Sequence, residues 1–477
     1  MKGFFEWFKR NTKMKRWIIL ILLGLGLVCL GLTEILSEKE LATISDFARI
    51  IVSFVVGFTF TIIGMIFALR RNLEILLESG NKDKVHVKSL VFNRKVYDSG
   101  QNIVVIGGGN GILPVLYGLK KYTSNITAIV PISEYNEEIK NAIIALSEDE
   151  VIVEKLLNHR FDIERLKGIS FGDIYLCAME EIYKNIPESV SRSNEVLNMT
   201  GRVLPVTLDK MKIAVELEDG TVTSDKNELK EISSNRITKV KKVYVSPTNC
   251  RVSDGVLEAI SKADAIVIGP GSLYTNIIPN FLIKNVAKAV KESTATKIYV
   301  SNIMTELGET DNLSLSEHID ILTENAGSGI IDYCIVDTGD IVPEFVRKYN
   351  EEGSEIVEKD FDKIQNKKIK IIQNDLSEVK GEQIRHNPDL LAMNIIKLIC
   401  DDMKFKNQHN ETKFLISKSI LRDEKKKYRK RLKKPSRKKQ VTKSGKSKFS
   451  EKYNERVNSI KNTAKTKEEN MKKIDIE

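Results

Sequence analysis

Two long apolar runs open the chain, and polar positions interrupt them only at their ends. Trp17 to Leu36 (WIILILLGLGLVCLGLTEIL) stays apolar until its last few residues, and Ile50 to Leu69 (IIVSFVVGFTFTIIGMIFAL) holds 20 residues without a charge. About 20 apolar residues suffice to carry a helix across the hydrocarbon core of a bilayer. Both runs are too long and too uniformly apolar for the one-sided helices of a soluble core, so the sequence predicts two transmembrane helices, 17–36 and 50–69. A secretory signal fits the first run less well, because no small-residue cleavage site is evident and a second apolar run follows closely. Lys9, Arg10, Lys13, Lys15 and Arg16 precede the first run, and Arg70 and Arg71 follow the second. The short connection carries Glu38, Glu40 and Asp46 beside Lys39 and Arg49. Positive flanks stay on the cytoplasmic side. The expectation is therefore a multi-pass anchor over residues 1–71 that places the rest of the chain, and both termini, in the cytoplasm.

After a mixed linker (72–101) the pattern changes to short apolar runs alternating with helical periods. NIVVIGGG, NITAIVPIS, ADAIVIGPGS, TKIYVSNIM and IDYCIVDTG read as strands, with ILPVLYGLKKY, EEIKNAIIAL, FLIKNVAKAVKES and SEHIDILTENA as helices among them. All-apolar strands separated by helices imply a parallel sheet covered on both faces. KIAVELEDGTVTS reads as an antiparallel hairpin turning at Asp219-Gly220. The expected fold class is α/β, a doubly wound and mainly parallel sheet over residues 102–402 with an inserted hairpin. Residues 403–477 form a tail with few large apolar residues, expected to be disordered or marginally helical.

Charge sharpens that division. The 477 residues carry a net charge of +10, but residues 421–477 hold 22 Lys and Arg against 8 Asp and Glu, leaving the rest at −4. The tail suits an anionic membrane surface, though a solvated charge run without a partner fits it as well. The five cysteines and five histidines are scattered. That excludes a sequence-local zinc site and suits reduced thiols.

Candidate chemistry sits at strand ends. Gly107, Gly108, Gly109, Asn110 and Gly111 follow the first strand, where glycines let backbone amides approach an oxyanion and the next helix points its amino end at it. The dinucleotide fingerprint would need glycine at 107, 109 and 112; position 112 is Ile, so a different phosphate-binding turn, or a bare strand-to-helix turn, fits better. The second strand ends at Ser133-Glu134, an acid that could bond ribose hydroxyls or stand as a loop carboxylate. A second bend, Gly269, Pro270 and Gly271, is followed by Ser272, Tyr274 and Thr275. Asn302, at a third strand end, could read a base edge or a sugar hydroxyl, while Thr310 and Asp311 beyond it suit either a ligand or a turn. Tyr349 could stack on a base and Arg385 could fork two phosphate oxygens, although either residue alone suits a structural role equally.

GGGNG, RVLPVT, ADAIVIGPGSLYTNIIPN, VSNIMTELGETDNLSLSEHI, EFVRKYNEEG and IRHNPDLLA occur in that order. Over about Gln101 to Asp402 the chain resembles the YvcK family of gluconeogenesis factors, within the CofD-like phospholactate transferase superfamily. The resemblance implies a Rossmann-like fold that binds a UDP-sugar (UDP-N-acetylglucosamine or UDP-glucose) without a required cofactor. It also implies protein partners in cell-wall regulation, roles in cell shape and gluconeogenic growth, and leaves a homo-oligomer open. Tyr349 and Arg385 match the family's nucleotide-sugar positions, and Gly107–Gly111 with Gly269–Thr275 its phosphate turns. The transferase relatives move a phospholactyl group with Mg²⁺. The chain departs from the pattern where the family carries an Asp-Asp-Gly-Gly-Ser-Ser-Gly run. Here PISEYNEEIKNAIIAL leaves Glu138, Ile139, Lys140 and Asn141 in place of Asp, Ile, Arg and Asn. GISFGD puts Ile169 and Asp173 where His and Asn are usual, Asn110 replaces a Thr, and VDTG replaces an Asn-rich turn. Losing paired acids removes metal ligands and cover from water. The expectation is a sensor of nucleotide sugar with no catalytic and no metal residues. An Mg²⁺-dependent transferase, or a scaffold with a degenerate pocket, is the alternative.

Overall fold

The computed structural model describes residues 15–36, 44–78, 98–131, 137–405 (except 164, 185, 210, 225–227, 230 and 233–238) and 411–433. Ser133-Glu134 and most of the expected linker and tail lie outside them. The chain divides into two units, residues 1–422 and 423–477.

Helices α1 (Lys15–Leu36) and α2 (Ile44–Glu78) hold the two apolar runs. Among the described residues, Ala48–Phe67 of α2 is the one stretch long and apolar enough, by length and composition, to cross a membrane; the apolar part of α1 is the shorter Ile19–Thr33. Of the two expected spans, one is matched by a helix of sufficient apolar length, and the second is not shown. The charged start and the Thr33-Glu34 step trim α1 to that core.

The body begins with β1 (Ile103–Ile106), α3 (Leu113–Leu119), β2 (Ile126–Val130) and α4 (Glu137–Leu146). Three helices, α5 (Glu150–Leu157), α6 (Phe171–Tyr183) and α7 (Ile186–Leu197), lead to β3 (Arg202–Pro205). The expected hairpin is β4 (Lys212–Leu217) and β5 (Val222–Thr223), turning where Gly220 takes φ +85°. A third strand, β6 (Val240–Ser246), completes this small antiparallel sheet in the order β5-β4-β6. Then come α8 (Val256–Ser261), β7 (Ala265–Ile268), a π-helical turn (Leu273–Ile277), α9 (Ile278–Leu282), α10 (Val286–Glu292) and β8 (Thr296–Val300). The remainder is α11 (Leu315–Ala326), β9 (Tyr333–Asp337), α12 (Pro343–Glu351), α13 (Phe361–Ile364), β10 (Lys370–Asn374), the hairpin β11 (Ser377–Lys380) and β12 (Gln383–His386), α14 (Pro388–Phe405) and α15 (Glu411–Lys433). The described part of the tail is thus helical.

The seven-stranded sheet runs β10-β9-β8-β7-β1-β2-β3 and is parallel throughout. Successive side chains of a strand point to opposite faces, and here both faces are dry. Ile103 and Val105 of β1 join the core cluster that contains Leu116 and Ile395, while Val104 and Ile106 join the one that contains Ile277 and Phe281. The α/β doubly wound architecture is as expected. The chain leaves β1 toward β2 and β3, then returns to β7 on the other side and proceeds outward. Strand order therefore reverses between β1 and β7, the place where open α/β sheets take their ligands.

Candidate functional site

At this reversal the loops after β1 and β7 touch. A Cβ on Gly111 would meet Gly271 Cα at 2.5 Å, and one on Gly271 would stand 3.2 Å from Gly108 O. Gly109 adopts φ +62° and Gly269 φ +72°, the left-handed region that glycine enters without steric cost. Glycine at these positions is thus required by close approach as well as by conformation. Above the two bends opens a cleft of about 550 Å³.

Of the expected residues, Gly109, Asn110, Gly111, Pro270, Gly271, Ser272, Asn302, Tyr349 and Arg385 line this one cleft. Gly107, Gly108 and Gly269 lie beneath it: Gly107 N–H donates to Ile129 O at 3.1 Å and Gly269 N–H to Ile106 O at 2.9 Å, extending the sheet. Tyr274 and Thr275 are buried away from it. Tyr274 is desolvated, which raises its phenol well above the ordinary range, and Thr275 Oγ1 donates to Glu309 at 2.9 Å.

The two bends differ in what they offer. The amides of Gly109, Asn110 and Gly111, which line the cleft, make no hydrogen bond among the described residues, so the first bend presents open donors. The second is already committed. Gly271 N–H donates to Asn302 Oδ1 at 3.0 Å, Asn302 Nδ2 donates to Gly271 O at 3.0 Å, and the Ser272 hydroxyl donates to Glu306. Asn302 was expected to read a base or sugar; here both its polar atoms hold the backbone of the bend. The helix after the first bend, α3, has only seven residues, so its contribution to anion binding is small compared with the open amides.

Tyr349 comes from α12 and Arg385 from β12. The Tyr349 hydroxyl accepts from Ile384 N at 3.2 Å, tying the helix to the hairpin beside Arg385. The Arg385 guanidinium bonds Gln383 Oε1 at 2.8 Å and meets no carboxylate among the described residues. Its charge is therefore available to the cleft. A second functional feature escaped the linear reading. Glu137, Glu138, Glu306 and Glu352 also line the cleft, so carboxylates outnumber Arg385. Glu138 Oε2 is buried without a partner, and its Cγ lies 3.2 Å from where a Cβ on Gly108 would stand. His386, also on the lining, is buried; desolvation holds its imidazole down at about 4, and hence neutral near pH 7.

These acids do not amount to a metal centre. Among the described residues no group of three His, Cys, Asp or Glu could hold a metal ion. Glu306 is engaged by Ser272 and Glu309 by Thr275. Among the described residues, the acids of the cleft do not fit a Mg²⁺ ion.

Comparison with known proteins agrees with this architecture. The family model of the 2-phospho-L-lactate transferase CofD matches residues 103–377. A putative gluconeogenesis factor of Clostridium acetobutylicum is 33% identical over 445 residues, covering 89% of this chain and 98% of the relative. The gluconeogenesis factor of Bacillus subtilis is 33% identical over 313 residues, covering 62% of this chain and 98% of its own. A solved member of the UPF0052 family from Bacillus halodurans superposes with a TM-score of 0.58 at 34% identity, over 62% of this chain and 99% of that one.

Proposed function

The chain belongs to the CofD family, among relatives named gluconeogenesis factors, and from that premise we propose that it is a membrane-anchored regulatory protein that binds a UDP-sugar in the switch-point cleft. One observation carries the reading. Tyr349 and Arg385, far apart from the first glycine bend in sequence, line the same cleft as that bend's open amides. The amides take the diphosphate, Arg385 adds the positive charge, and the Tyr349 ring supplies a stacking face. Asn302 and Glu306 hold the second bend in shape. The sugar is N-acetylglucosamine or glucose.

The missing Asp-rich run favours reading the ligand over transforming it. A bound nucleotide sugar reports cell-wall precursor supply, and the protein passes this on to partners in cell-wall homeostasis, cell shape and gluconeogenic growth.

The anchor is a two-helix hairpin in the cytoplasmic membrane. Among the described side chains of α1 and α2, the buried positions are Gly24, Gly31, Ile50, Gly57 and Gly64, whereas Leu22, Leu30, Ile51, Phe58 and Ile66 are exposed. A water-soluble hairpin would place these in the opposite sense. Glycine inside and large apolar residues outside is the arrangement lipid favours, since small residues let backbones approach. A Cβ on Gly57 would meet Gly24 O at 2.8 Å. Beyond the body, the basic tail meets anionic headgroups.

Calorimetric titration of the full chain in detergent micelles with UDP-N-acetylglucosamine and UDP-glucose tests the cleft. Arg385→Ala is expected to weaken binding by about 1.5–3 kcal/mol, the worth of a charged hydrogen bond. Tyr349→Ala should also weaken it. No binding by the parent protein, or equal binding by all three, overturns the proposal.

A further inference from the structure

The helical insert between α4 and β3 carries an apolar surface for which the cleft has no use. Val151, Ile152 and Leu156 on α5, with Ile163 and Ile169 in the loop before α6, are each 42–63% exposed. The backbone gathers the loop residues. His159 N–H donates to Leu156 O at 3.2 Å, and Phe161 N–H to Ile169 O at 3.2 Å. Ile169 N–H donates to Leu166 O at 3.0 Å, and Leu166 N–H to Ile163 O at 2.8 Å. Ile152 and Leu156 are four residues apart and share a face of α5. An apolar patch on a body element calls for a partner.

We infer that this patch seats on the anionic surface of the bilayer that holds the anchor, an inference that rests on the membrane reading above. Two observations select lipid as the occupant. First, over the patch's own span, residues 151–169, the apolar tips alternate with Lys155, Arg160, Arg165 and Lys167, against Glu154, Asp162 and Glu164. The stretch is therefore net positive in a chain that is net negative before residue 421. Apolar side chains interleaved with Lys and Arg are what an interfacial segment presents to anionic lipid. Second, residues 79–97 separate α2 from the body, and 19 residues span at most about 65 Å even fully extended. The body cannot leave the neighbourhood of the bilayer, so a weak surface contact is made at high effective concentration.

The test uses the full chain with Cys29 and Cys177 replaced by Ser, reconstituted into phosphatidylcholine vesicles with and without phosphatidylglycerol. An environment-sensitive fluorophore is attached at Ile163→Cys, at Val222→Cys as a distant exposed control, and at Ile62→Cys in α2. Spin-labelled lipid is expected to quench the probes at 62 and 163 but not at 222, with quenching at 163 lost when phosphatidylglycerol is left out. An unquenched probe at 163 beside a quenched one at 62 overturns the inference and leaves the anchor standing. Self-quenching between copies labelled at 163 also overturns it, because the face would then meet a second chain. An unquenched probe at 62 removes the membrane reading itself.

Discussion

Replacing Glu138 by Gln removes one negative charge from beside the first glycine bend while keeping the shape of the side chain. Glu138 Cγ lies 3.2 Å from where a Cβ on Gly108 would stand, and Oε2 is buried with no partner among the described residues. Two unit charges about 6 Å apart, a carboxylate here and a phosphate oxygen on the bend, repel by roughly 0.7 kcal/mol in bulk water and 2.8 kcal/mol at an effective dielectric of 20. A half-open cleft lies between these limits. Glu138→Gln is expected to tighten UDP-N-acetylglucosamine binding by about 1–2 kcal/mol, or roughly 5- to 30-fold. Calorimetry at low and high salt checks this, because added salt screens the repulsion in the parent and narrows the gap. Uridine, which has no phosphate, should bind both proteins alike. Equal affinities at low salt, or a gain that uridine shares, would refute the electrostatic account. Weaker binding by the variant would mean that the carboxylate accepts a hydrogen bond from the ligand.

Asn302→Ala removes both bonds to Gly271 and should cost about 1–2 kcal/mol in denaturant unfolding, with a weakened affinity for nucleotide sugar. Gly57→Leu pushes a side chain toward Gly24 O and Val28, and should separate the two helices, seen as a shift in the fluorescence of Trp17, whose ring stacks on Phe67 at 4.4 Å. His386 is held neutral by burial, with a folded value of about 4 against 6.5 in the unfolded chain. The unfolded state then binds more protons between those values, so stability is full above pH 6.5 and falls by about 3 kcal/mol as pH drops to 4. His386→Gln should flatten the unfolding curve across that window; an unchanged curve would assign the loss to other groups.

How much of this was open to a linear reading depends on where each contact is made. Buried parallel strands write themselves as uninterrupted apolar runs, so β1, β2, β7, β8 and β9, and the bends that follow β1 and β7, could be placed in advance. Edge strand β10 is half exposed and mixed in composition, and it could not. The β11–β12 hairpin turns at Gly381-Glu382, both with positive φ. Glutamate rarely takes that conformation, so the turn lacks the usual signal, and Lys348 holds Glu382 in place from α12. Arg385 reached the cleft reading through family likeness for that reason. In the α1–α2 pair, apolar length suggests two spans, but the seven-residue spacing of Gly24 with Gly31 and of Gly57 with Gly64 is the more telling pattern. It marks the buried stripe, which hydropathy cannot do.

Asn302 shows a different limit. Its type and position at a strand end suit a ligand contact, yet its amide matches a backbone N–H and C=O equally well, and only the folded chain decides between them. The charge of the cleft is the furthest from sequence. Losing the Asp-rich run suggests a site depleted of acids, but topology gathers Glu137 and Glu138 from α4, Glu306 from the loop after β8 and Glu352 from the end of α12 around a single Arg385. No window along the chain contains that sum. On the proposed reading, a diphosphate drawn to open amides enters against it, so the net charge of this cleft is expected to set affinity by opposing the ligand, and the contrast between Glu138→Gln and Arg385→Ala measures both sides of that opposition on the same titration.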